Sequence, residues 1–192
     1  MRAVVLLAGL SLRMGENKML LPYKGKPLFL STLETVLSLF PDTLCVTGFE
    51  RKRIESILDC VNVPHIYNPD FKKGQRSSMI AALESSDDDF VIIPGDLPLL
   101  EKDDFSQGIA IIKEGKACRA CYNGIPGHPV FIPKRIRNIM LKENLPFRTI
   151  LERENIICYE AGAGSVFDID TKESCKALLD DNLSILNACC KC

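Results

Sequence analysis

The chain has 192 residues, 46% of them hydrophobic and 26% charged, which suits one compact domain with a sizeable core. A formal net charge of −1 speaks against a general nucleic-acid or membrane-surface binder. No apolar run nears the ~18 residues of a membrane span, and Arg2 is followed by too few apolar residues for a signal peptide, so a cytoplasmic protein is expected.

In chain order, Val4–Leu7 is a short apolar run expected of a strand buried on both faces. It runs into a loop carrying Gly9, Ser11, Arg13, Gly15 and Lys18. Glycines let a backbone turn sharply and approach a ligand closely, and successive loop N–H groups cradle anions. Arg13 adds a planar cationic fork and Lys18 a mobile point charge. The loop matches neither G-x-x-x-x-G-K-[ST] nor G-x-G-x-x-G. It reads either as a nucleoside triphosphate site or as a glycine-rich connection with solvated charges.

Leu30, Leu33, Val36, Leu37 and Phe40 share one face of a helix expected over Pro27 to Phe40. A strand over Thr43–Thr47, an amphipathic helix over Glu50–Cys60 and a strand over Val63–Tyr67 follow. NPDFKKGQRSSM then leads into a helix over Ser77–Ser85. The Gln75 amide suits a base edge or ribose, and Ser77 or Ser78 suits a helix cap. Phe90–Ile93 is a buried strand ending at PGDLP, which holds Asp96 rigid beside Gly95 and between two prolines. Such a carboxylate suits Mg²⁺ or a β-turn closed on its own backbone.

A helix is expected over Asp103–Glu114, and strands over Cys118–Tyr122 and Val130–Ile132 flank a glycine-rich turn. His128 lies there in Gly-His-Pro, as a substrate-positioning group or a structural turn residue; His65 reads as core or surface filler. Helices over Pro133–Lys142 and Pro146–Glu154, the first opened by its proline, precede short strands over Ile156–Tyr159 and Val166–Ile169. In FDIDT, Asp168 and Asp170 would share a strand face, a costly arrangement without a cation or donors, with helix capping open to Asp170. Lys172–Asp180 is the last expected helix.

Strands alternating with helices imply a mostly parallel sheet covered on both sides, with the ligand beyond the carboxyl ends of the strands. Residues 1–187 read as one domain and 188–192 as a Cys-rich tail. The cysteines number nine. Cytosolic thiols stay reduced, so Cys45, Cys60, Cys158 and Cys175 read as small core residues. Cys118 and Cys121 point to opposite strand faces, and Cys189, Cys190 and Cys192 read as free thiols in a frayed tail rather than as soft-metal ligands, since no second Cys or His pair stands at zinc-site spacing.

Taken in order, Leu6–Lys18, LLPYKGKPL, NPDFKKGQRSS, PGDLP, GHPVF and DIDTKE resemble the MobA-like nucleotidyltransferase family. The closer likeness is to its molybdenum cofactor cytidylyltransferase branch. That resemblance implies a Rossmann-like, three-layer α/β/α fold of the nucleotide-diphospho-sugar transferase type. It implies transfer of CMP from CTP to a phosphate acceptor such as molybdopterin, with release of pyrophosphate. Arg13, Lys18 and Asp96 would be catalytic. Leu7, Ala8, Gly9, Ser11, Arg13, Gly15, Lys18, Gln75 and Ser78 would bind the nucleotide. Asp96 and Asp170 would hold Mg²⁺, and Gly127, His128, Pro129 and Asp168 would face the acceptor.

Departures from the family pattern sharpen these expectations. Leu7 stands where a small residue is usual, Leu12 where an arginine is frequent, and ENLPFR (Glu143–Arg148) replaces a glycine-rich, Asp-containing segment. Ala8 and PGDLP favour the cytidylyl branch. The other readings are a GTP-using guanylyltransferase, a transferase with another phosphate acceptor, and a non-catalytic accessory protein that serves a molybdenum hydroxylase.

Overall fold

A computed structural model of the chain describes residues 1–12, 14–169 and 178. Numbered in chain order, the strands are β1 (Arg2–Leu7), β2 (Pro22–Tyr23), β3 (Lys26–Pro27), β4 (Thr43–Thr47), β5 (His65–Tyr67), β6 (Phe90–Pro94), β7 (Cys118–Tyr122), β8 (Ile125–Ile132) and β9 (Ile157–Glu160). The helices are α1 (Leu28–Leu37), α2 (Arg51–Cys60), α3 (Gln75–Glu84), α4 (Ser106–Lys113), α5 (Lys134–Lys142) and α6 (Phe147–Arg153). Seven strands form one sheet in the order β5-β4-β1-β6-β8-β7-β9, and β2 and β3 make a separate small hairpin. The first four strands of that order pair in parallel, β8 runs antiparallel to both its neighbours, and β9 is parallel to β7.

The apolar run of β1 explains its central place. Ala3, Val5 and Leu7 face a core shared with Phe29 and Leu33 of α1, Ile54 and Leu58 of α2, and Ile112 of α4. Val4 and Leu6 face the opposite core, with Leu83 of α3, Ile136 and Met140 of α5, and Ile150 of α6. A strand buried on both faces needs apolar residues at every position rather than at alternate ones. The result is the three-layer α/β/α arrangement expected. The chain passes outward from β1 to β4 and β5, then returns to β6 on the other side of β1. Loops leaving β1 and β6 therefore meet at the reversal of strand order, where open α/β sheets bind ligands.

Several sequence expectations change. Val166–Ile169 forms no strand: it follows a 3-10 turn at Ala163–Ser165, and the Ile169 N–H donates to the Asp96 carbonyl at 3.3 Å. Its alternation is real, with Phe167 and Ile169 buried and Asp168 exposed, but a third core beside Met14, Tyr23 and Leu28 takes the two apolar side chains. Helix α3 begins at Gln75 after Gly74 (φ 99°), so Ser77 and Ser78 lie within its first turns instead of capping it. Gly127–Pro129 belong to β8, not to a turn; the turn is Asn123–Gly124, with φ of 50° and 78°. Pro133 and Pro146 precede their helices as caps. Cys60 and Cys158 are exposed rather than core residues, whereas Cys45 is buried. Asp170, Cys175, the expected last helix and the Cys-rich tail lie outside the described residues, as does Arg13. No helix among the described residues is long and apolar enough to cross a membrane.

Candidate active site

The loop after β1 folds back on itself. The Ser11 carbonyl accepts from the Met14 N–H at 3.0 Å, and the Ser11 hydroxyl accepts from the Lys18 N–H at 3.1 Å. Ser11 and Gly15 adopt positive φ, 51° and 76°. Asn17 then caps a 3-10 turn at Lys18–Leu20: its Oδ1 accepts from the Met19 N–H at 3.1 Å, while its Nδ2 donates to the Phe49 carbonyl at 3.3 Å. This fixes the base of Lys18, whose side chain is 11% exposed.

The loop after β6 supplies the opposing charge. The Gly95 N–H donates to the Leu6 carbonyl at 3.0 Å, and the Thr32 hydroxyl of α1 donates to the Gly95 carbonyl at 3.1 Å. A Cβ at Gly95 would stand 2.2 Å from Cδ2 of the fully buried Leu7. Glycine is thus what lets this loop lie against β1 and carry Asp96 to Lys18. The Lys18 ammonium and the Asp96 carboxylate form an ion pair. Both are nearly buried, and each offsets a charge that would be costly to leave alone.

Two lobes open around this pair. The first, about 240 Å³, is lined by Leu6, Ala8, Gly9, Leu10, Lys18, Met19, Phe71, Gly74, Gln75, Ser78, Pro94 and Asp96. The second, about 360 Å³, is lined by Lys18, Gln75, Pro94, Asp96, Leu97, Pro126, Gly127, His128, Ser165, Val166 and Asp168. The N-terminal end of α3 faces the first lobe through Gly74, Gln75 and Ser78, and such an end favours anions. Asn68 sets that end: its Nδ2 donates to the Ser77 and Ser78 hydroxyls at 2.9 and 3.0 Å, and its Oδ1 accepts from the Asp70 N–H at 2.9 Å.

Among the residues singled out from sequence, Ala8, Gly9, Lys18, Gln75, Ser78 and Asp96 meet in the first lobe. Gly127, His128 and Asp168 meet in the second. Leu7 points its side chain into the core, Pro129 is buried, and Ser11 and Gly15 shape the loop without lining either lobe. Sequence reading missed Phe71, Leu10 and Asn68. Asn68 follows β5 directly, and that strand-end position was the available signal.

The second lobe has its own electrostatics. Arg119, on β7, donates from Nη2 to the Gly127 carbonyl at 3.0 Å, while its Nε is enclosed without a partner. Burial holds the Arg119 guanidinium below the usual arginine value. Burial, followed by the charge of Arg119, pushes the His128 imidazole down to about 4, against an opposing backbone hydrogen bond at Ile92. His128 is therefore neutral near pH 7 and offers the cleft a dipole rather than a charge. The set as a whole can hold a polyanion between loop amides, the end of α3 and Lys18. It also offers hard carboxylate oxygens from Asp96 and Asp168 across one space.

Comparison with known proteins gives the family and the fold. The chain is 31% identical over 133 residues to the molybdenum cofactor cytidylyltransferase of Escherichia coli, covering 68% of this chain and 69% of that protein. The crystal structure of Rv0371c from Mycobacterium tuberculosis superposes with a TM-score of 0.80 at 20% identity, covering 93% and 97% of the two chains. A manganese complex of that protein has also been solved. A nucleotidyl transferase from Methanothermobacter likewise gives a TM-score of 0.80, at 19% identity over 96% and 98%. Residues 3–152 match the MobA-like NTP transferase domain, and the chain belongs to that family.

Proposed function

We propose that the chain transfers a CMP moiety from CTP to the terminal phosphate of a molybdopterin-type acceptor, releasing pyrophosphate. The observation that carries this reading is the 31% identity to an enzyme named for that chemistry, over two thirds of both chains. The Lys18–Asp96 pair supports it from the site itself.

In this reading the triphosphate lies along the loop from Ala8 to Gly15 and against the N-terminal end of α3. Arg13 and Lys18 neutralise the transferring and leaving phosphates. Gln75 and Ser78 lie beside base and ribose. An acceptor phosphate oxygen attacks the α-phosphorus in line; the new O–P bond forms as the bond to the β-phosphate oxygen breaks, and pyrophosphate leaves. The protein contributes position and fixed charge, and no covalent enzyme intermediate is required. Gly127, His128 and Asp168 face the acceptor side.

Asp96 and Asp170 are the proposed Mg²⁺ ligands. Asp96 supports this from the described residues, since it lines both lobes and offers a hard carboxylate oxygen there; Asp170 lies outside the described residues. No group of three or more metal-ligating side chains occurs among the described residues. Mg²⁺ typically takes one or two protein carboxylates and completes its shell with phosphate oxygens and water. When bound, it supplies charge neutralisation at the phosphate oxygens.

The test is pyrophosphate release by the purified protein with Mg²⁺, molybdenum-loaded molybdopterin and each NTP in turn. Release with CTP alone is the expected result. Release with GTP alone would replace the cytidylyl assignment by a guanylyl one, and release with no NTP would overturn the transferase reading.

A further inference from the structure

A third cavity, of about 370 Å³, adjoins the cleft on the far side of Gln75, which lines all three spaces. Its apolar floor is Met79, Leu145, Pro146 and Phe147. Its rim carries the amides of Gln75 and Asn144 and the guanidiniums of Arg76 and Arg148. No carboxylate lines it. The segment responsible is ENLPFR, where the sequence departs from its family's usual pattern.

The two arginines are held differently. Arg76 stacks its guanidinium 4.8 Å from the Phe147 ring centroid and donates from Nη2 to the Glu143 carbonyl at 2.8 Å, while its Nη1 is enclosed without a partner. It forms a fixed cationic wall. Arg148 is 84% exposed and is steadied by a 2.7 Å bond from Nε to Glu152. The charge of Arg148 also helps hold the Arg119 guanidinium down. An apolar lining that includes the Phe147 ring, bordered by amide and guanidinium donors, suits a planar heterocycle whose rim bears carbonyl oxygens and ring nitrogens. Guanidinium planes both stack on such a ring and hydrogen-bond to its edge.

We propose that the cavity of Gln75, Arg76, Asn144, Leu145, Phe147 and Arg148 seats the planar, carbonyl-bearing ring of the phosphate acceptor, while its phosphate reaches past Gln75 to Lys18 and Asp96. This rests on the transferase reading above. It assigns the ring end of the acceptor to the Asn144–Arg148 segment together with Gln75 and Arg76 at the start of α3.

The test is steady-state kinetics of the wild type, Arg148→Ala, Arg148→Lys and Asn144→Ala, varying acceptor and CTP separately. Both side chains altered are exposed, so the fold tolerates these changes. Arg148→Ala raises the acceptor KM about tenfold, the loss of one charge-assisted hydrogen bond, with the CTP KM and melting temperature unchanged. Arg148→Lys restores only part, because an ammonium lacks the planar fork. Asn144→Ala shifts the acceptor KM in the same direction. An acceptor KM within twofold of wild type in both alanine variants, or a shift in the CTP KM instead, overturns the proposal. A second measurement separates it from the transferase reading: calorimetric binding of a pterin monophosphate without nucleotide. Binding by the wild type that weakens about tenfold in Arg148→Ala supports the cavity even if CTP is not turned over. No binding by the wild type at millimolar pterin overturns it.

Discussion

Gly9 separates a glycine required by the fold from one required by a ligand. A Cβ built there meets nothing within 4 Å, and Gly9 lies outside the positive-φ region. Replacing glycine by alanine at a backbone conformation both accept stabilises a protein by about 0.4–1 kcal/mol, through the unfolded chain. For a domain of this size, that is a rise in melting temperature of up to ~4 °C. The same methyl enters the first lobe, where the triphosphate is proposed to touch the loop. Displacing a reacting group by about 1 Å costs on the order of 10²-fold in rate. Gly9→Ala is therefore expected to melt no lower than wild type while losing about two orders of magnitude in kcat/KM for CTP. Thermal melting and pyrophosphate release, measured on one preparation, give both numbers. Activity within about threefold of wild type would refute the argument, because the nucleotide would then not approach the loop at Gly9.

Asp96→Asn is expected to lower turnover by ~10³-fold or more and, by removing the carboxylate charge paired with the nearly buried Lys18, to lower the urea midpoint. Near-normal turnover in the folded variant would remove Asp96 from the site. Gly127→Ala would bring a Cβ within 2.3 Å of the Ser165 carbonyl oxygen, backbone against backbone. A loss of about 1–3 kcal/mol and a weaker acceptor KM are expected, and an unchanged melting temperature contradicts this. Burial, then the charge of Arg119, pushes the His128 imidazole from its usual 6.5 down to about 4 in the folded chain, so the unfolded chain takes up the proton first as pH falls. Its contribution to stability is complete above about pH 6.5 and is lost as pH falls toward 4, by a few kcal/mol at most. His128→Gln flattens the decline in urea midpoint between pH 7 and 4.5; identical slopes in variant and wild type would disprove the assignment.

Most of the sheet was legible because burial on both faces leaves a plain apolar run, as in Val4–Leu7 and Phe90–Ile93. The small hairpin β2–β3 was missed although Lys24–Gly25, both at positive φ, is a recognisable tight turn. Strand β8 was read too short because Pro126 and Pro129 argue against a strand, yet the chain pairs from Ile125 across its turn with β7. Alternation at Val166–Ile169 reported burial truthfully but said nothing of a pairing partner, which only tertiary structure supplies. Strand-end placement brought Lys18 and Asp96 together on paper. Spacing alone could not reveal Arg119, which stands mid-strand and reaches the second lobe only through the Gly127 carbonyl.

The wall common to the first two lobes has a thermodynamic consequence. Lys18, Gln75, Pro94 and Asp96 border both, so a molecule seated in one rests on the same side chains as a molecule seated in the other. Two sites with such a party wall are linked. Whatever factor the occupant of one lobe imposes on affinity at its neighbour, the neighbour returns in equal measure.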